Sequence, residues 1–101
     1  MNSLPIVCSL TPETIATRRA ALLPGLWAQA KERLDTPDGY RLRFDSTSDT
    51  LRAIWTTIEA ERQCCRFLKF QVAVEPDGGP VWLSLSGPPG TREFLAALVA
   101  G

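Results

Sequence analysis

The sequence predicts an α/β (α+β) two-layer sandwich in the order β-α-β-α-β-β-α, with a mixed four-stranded sheet and helices packed on one face. Three observations lead there. Phe70, Val72 and Val74 alternate with Gln71, Ala73 and Glu75, then Pro76-Asp77-Gly78-Gly79-Pro80 turns the chain and Val81, Leu83 and Leu85 alternate back, the pattern of a hairpin. From about Thr47 to Arg66 the apolar residues keep a helical period behind a run of capping oxygens. Helical segments between the early strands call for crossover connections.

The chain has 101 residues, which fits one domain over 1–101. Leu, Ile, Val and Phe make 26 of them, enough for a core, although a chain this short buries only about two-thirds of its unfolded surface. Eleven basic and eleven acidic residues cancel, so the charge offers no surface for nucleic acid or an anionic membrane. No apolar run reaches the ~18 residues of a membrane span, and the start MNSLPIVCSLTPE lacks the pattern of a signal peptide. A cytoplasmic location is expected. Histidine is absent, which removes imidazole-based triads and imidazole metal sites.

In chain order, Leu4–Leu10 is short, apolar and rich in β-branched residues, and is read as a strand. Thr11-Pro12-Glu13 opens a helix, with Thr11 as N-cap and Pro12 at the first helical position. Ile15, Leu22, Leu26 and Ala30 continue its period, and Pro24-Gly25 imposes a break near Leu23. Pro37-Asp38-Gly39 turns into a half-exposed strand in which Tyr40, Leu42 and Phe44 alternate with Arg41 and Arg43. Ser46 and Asp49 approximate a capping box for the long helix. After the hairpin, Gly87-Pro88-Pro89-Gly90 leads to Thr91, read as the N-cap of a final helix carrying Phe94, Leu95 and Leu98.

Chemistry concentrates in three cysteines, Cys8 and the adjacent Cys64 and Cys65. An odd count outside a secreted context argues for free thiols, and adjacent Cα atoms at ~3.8 Å sit below the ~4.4 Å lower edge of ordinary disulfide spans. On a helix turning about 100° per residue, Ile54, Ile58 and Cys65 lie within about 60° of Leu51, and Arg62 about 20° from it. Cys64 lies about 140° away and Glu61 borders the stripe at about 80°. Arg62 is therefore expected to face the core beside Cys65, lining a pocket, or else to reach the surface and pair with Glu59 or Glu61. In the first case its charge favours the thiolate, against the opposing helix end.

Two adjacent thiols can chelate a soft ion such as Hg(II), As(III) or Cu(I), with Cys8 as a third donor if its strand lies beneath the helix end. Two cysteines without histidine cannot complete a four-ligand structural zinc site. The inert alternative is that the pair simply packs, since free cysteine is among the most buried residue types.

The segments Glu61-Arg62-Gln63-Cys64-Cys65-Arg66-Phe67-Leu68-Lys69-Phe70, Glu75–Leu83 and Leu85-Ser86-Gly87-Pro88 resemble a group of small uncharacterised bacterial proteins. Their shared pattern is an E-R-x-C-C-x-F-L helix followed by a hairpin and a glycine-proline loop, and the resemblance extends from Pro37 onward. It implies no assigned activity. Some members accompany heavy-metal-resistance genes, which points toward a thiophilic ion.

Arg19 sits on the apolar side of the first helix and is read as reaching around its edge. If Arg19 and Arg62 instead converge on the Gly87–Gly90 loop, they form an anion pocket. Trp27, Trp55 and Trp82 are read as core or interface residues. Trp82 faces away from Val81 and Leu83 on a regular strand, so a homodimer packing sheet on sheet would cover it. Three functions follow: a thiol-site protein binding a soft metal through Cys64 and Cys65, an enzyme with Cys65 or Cys64 as nucleophile, Glu61 moving a proton and Arg62 holding an anion, and a dimeric module with inert cysteines. No cofactor beyond such an ion is implied.

Overall fold

The computed structural model describes residues 23–100, apart from the side chains of Cys64 and Ala100. The expected strand over Leu4–Leu10, the helix start at Thr11-Pro12, and Cys8 and Arg19 lie outside the described residues.

Helix α1 (Leu23–Gln29) opens the described residues and carries Pro24-Gly25 within it, so the break expected near Leu23 falls at the edge of the described residues. Strand β1 (Glu32–Thr36) turns through Pro37-Asp38 into β2 (Gly39–Phe44). The long helix α2 (Ser48–Cys64) leads to β3 (Lys69–Val74), β4 (Val81–Ser86) and helix α3 (Thr91–Ala100). No helix among the described residues is long and apolar enough to cross a membrane.

The α+β class, a four-stranded sheet and the 70–85 hairpin are as the sequence predicts, but one of the four described strands is the unexpected Glu32–Thr36, while the expected Leu4–Leu10 lies outside the described residues. The pairing corrects one detail. The described strands are ordered β1-β2-β4-β3 and every neighbour is antiparallel, where a mixed sheet was expected. The reason is that Glu32–Thr36, charged and exposed, forms the edge strand beside β2 through a two-residue turn, so no parallel neighbour is needed there. Strands β2 and β3 do run the same way, joined by α2 as a crossover, but β4 lies between them, a split β-α-β arrangement.

Register puts Leu42 opposite Leu83 and Leu83 opposite Val72, and alternation gathers the apolar residues on one face. There Leu42, Phe44, Val81, Leu83 and Leu85 pack against Leu23 and Leu26 of α1, Ile54 and Ile58 of α2, and Leu95 and Leu98 of α3. Phe67 and Phe94 meet edge to face with centroids 5.0 Å apart, fixing the α2–β3 connection against α3. On the opposite face the Arg41 guanidinium lies 4.2 Å from the centroid of the Trp82 ring. Trp82 thus faces away from Val81 and Leu83 as expected, half-buried with the Arg41 guanidinium over its ring.

Two caps differ from expectation. Thr47, not Ser46, caps α2, its hydroxyl accepting the Thr50 amide hydrogen at 3.1 Å, while Ser46 donates to the Gly78 carbonyl. At α3 the Gly90 carbonyl accepts the first helical bond, from Phe94, and Thr91 donates its hydroxyl to the Pro88 carbonyl at 2.6 Å. Thr91 is buried and ties the loop down rather than capping the helix.

Candidate functional site

The buried side of α2 is set by Ile54, Thr57, Ile58 and Glu61, with Cys65 following at the C-cap. The spacing 54, 58, 61, 65 is a regular four-three-four seam, while Leu51, Trp55 and Arg62 are exposed. The stripe is therefore rotated about 70° from the line through Leu51. Two polar residues enter the core because their groups are satisfied locally. Thr57 donates its hydroxyl to the Ala53 carbonyl at 2.8 Å, and Glu61 accepts from the Cys65 thiol.

This rotation corrects the reading of Arg62. Its side chain is 60% exposed, and its Nε donates to Glu59 Oε1 at 2.7 Å, an i,i+3 pair on the helix surface. The surface pairing with Glu59 is the one of the two expected arrangements that forms. Arg62 does not line a pocket beside Cys65, because at its position the helix already faces solvent. Such a pair contributes ~0–1 kcal/mol. Arg62→Ala should accordingly shift stability by no more than about 0.5 kcal/mol in urea unfolding, whereas an arginine in the core would cost several times that.

What the structure brings together is Cys65 and Glu61. Cys65 Sγ lies 3.7 Å from Glu61 Oε1, within reach of a thiol–carboxylate hydrogen bond. Cys65 is 0% and Glu61 2% exposed. The local backbone explains the placement. Cys65 ends α2 with its amide donating to the Glu61 carbonyl, so residue 61 and residue 65 stack on one side of the last turn. The helix stops at Cys64, two residues short of the Arg66 expected, because Phe67 and Leu68 must turn inward to reach the core. Arg66 is exposed.

The anion pocket of Arg19, Arg62 and the glycine-proline loop is corrected for Arg62. The hollow at that loop, about 320 Å³, is bordered by Asp38, Arg92 and Glu93, not by Arg62. Arg92 is held by Asp35 at 2.9 Å. Among the described residues no three His, Cys, Asp or Glu side chains gather as a metal-ligand set.

Comparison with known proteins adds no relative. No family model matches the chain, and no curated protein or solved structure matches it. What the site can do therefore follows from its own chemistry: a thiol and a carboxylate share a buried side of the helix end, and a second cysteine stands next in the chain. Sequence reasoning placed Glu61 at the edge of the stripe. The signal that finds it is the seam through Ile54 and Ile58, which Leu51 and Trp55 obscure.

Proposed function

We propose that the chain is a small thiol-site protein of a reducing cytoplasm that sequesters a thiophilic ion, Hg(II), As(III) or Cu(I), through Cys64 and Cys65, with Glu61 taking a thiol proton. One observation carries the reading: a carboxylate occupies the core side of α2 within hydrogen-bond reach of the Cys65 thiol. A carboxylate in hydrocarbon is costly, and packing alone is better served by leucine or alanine. Binding a soft ion replaces each S–H bond by a metal–sulfur bond and releases a proton, which a neighbouring carboxylate can accept. The two cysteines stand at the C-terminal end of α2, where helix ends open most readily. The resemblance to a group of small bacterial proteins, some of which accompany heavy-metal-resistance genes, supports the same reading.

A second reading, an inert structural thiol, is favoured by the complete burial of Cys65 beside Phe67 and Leu68. Titration of the reduced full chain with Hg(II) and with arsenite separates the two. The thiophilic site predicts one ion per chain and a loss of at least a hundredfold in affinity for Cys64→Ser and for Cys65→Ser, with Cys8→Ser reporting whether a third thiol joins. Micromolar or weaker binding, the same in wild type and Cys65→Ser, leaves the structural reading.

A further inference from the structure

The sheet has two edges of different character. Strand β1 carries Glu32, Arg33 and Asp35 in five residues, the charged composition that keeps other strands away. Strand β3 carries no charge between Phe70 and Val74, and among the described residues its one strand neighbour is β4. Val72 and Val74 are 43% and 59% exposed although they lie on the helix-covered face.

The backbone groups of β3 that no described strand pairs have a definite phase. The Glu75 amide donates to the Pro80 carbonyl, so the odd-numbered residues of this strand bond to β4. Phe70, Val72 and Val74 then direct their N–H and C=O groups outward. A second copy of the same strand, laid antiparallel about a two-fold axis at Val72, meets these groups in phase. Val72 pairs with Val72, Phe70 with Val74, and Lys69 with Glu75. That register also joins opposite charges at both ends, and neither Lys69 nor Glu75 makes an ion pair among the described residues. A slip of one residue would place Phe70 out of phase and lose the charge match.

We propose that two copies of this chain associate through β3, in that register, to form one continuous sheet in which the four described strands of each copy join edge to edge. The interface is isologous, as a two-fold axis requires, and each copy contributes the same self-complementary strand.

Sedimentation equilibrium of the full chain between about 10 μM and 1 mM tests this, with circular dichroism showing that each variant is folded. Wild type should approach twice its 11.1 kDa as concentration rises. Lys69→Glu and Glu75→Lys each place like charges opposite one another at both ends, and should raise the dissociation constant about tenfold or more. The double exchange, Lys69→Glu with Glu75→Lys, should restore it to within about threefold of wild type, which no general loss of stability can imitate. A monomer throughout the range, or a dimer indifferent to the single reversals, overturns the proposal. So does a monomer whose Phe70, Val72 and Val74 amides resist hydrogen exchange, since another part of the same chain then covers the edge.

Discussion

Gly39→Ala should be the most damaging single methyl in this protein, lowering stability by on the order of 3 kcal/mol or more. A Cβ at position 39 would stand 1.7 Å from the carbonyl oxygen of Leu85 and 2.9 Å from the Cα of Ser86. Both belong to the backbone of β4, the strand that both β2 and β3 pair with, so no side chain can swing aside. Either the start of β2 peels from β4 or the β1–β2 turn is displaced. The need for glycine here is crowding alone, because its φ is not in the left-handed region that Gly78 and Gly90 occupy. Gly25→Ala is the matched control. Its Cβ meets nothing within 4 Å and α1 gains a better helix former, so stability should rise by ~0.5–1 kcal/mol. Urea midpoints of the two variants test the reading, and a wild-type midpoint for Gly39→Ala would remove it. Losses of that size matter in a domain whose total stability is about 5–15 kcal/mol.

Phe44→Ala and Trp55→Ala should differ by several kcal/mol, although the sequence reads Trp55 as a core or interface residue. Phe44 is fully buried at the end of β2, opposite Val81, and its truncation leaves a cavity among sheet and helix residues, costing ~3–5 kcal/mol. Trp55 is the larger side chain but lies mostly in solvent on α2, so its loss should cost within about 0.5 kcal/mol. The slopes of the two unfolding curves should match wild type, so that the midpoints alone report stability. Equal losses in the two variants would mean that α2 packs through Leu51 and Trp55 after all.

That contrast also measures how far the sequence could be read. Strands whose apolar residues alternate over one buried face were legible. Leu42 and Phe44, and Val81, Leu83 and Leu85, announce their side by period alone. The edge strand Glu32–Thr36 was not, because a strand with no buried face has no alternation to show and forms through its turn and its neighbour. In α2 the helix itself was plain and its rotation was not. A surface leucine and a surface tryptophan outweighed a threonine and a glutamate that enter the core only because each finds a local hydrogen-bond partner. The cysteines stood out as the chemically distinctive residues, but the carboxylate beside Cys65 took the place expected of the guanidinium.

The position of β4 has a consequence for how the chain is made. The last strand in the chain occupies an interior place in the sheet, with β2 some 40 residues upstream on one side and β3 on the other. During synthesis the β1–β2 hairpin, α2 and β3 emerge first, yet β2 and β3 cannot touch until Val81–Ser86 has left the ribosome and slotted between them. Until then the described part of the nascent chain holds one hairpin and one lone strand with apolar faces bare, a state open to aggregation and to capture by a chaperone. Truncation before residue 86 should therefore yield no partly folded remnant, and folding should be slow for a chain this short because the pairing of β2 with β4, which joins the two hairpins, is distant in sequence.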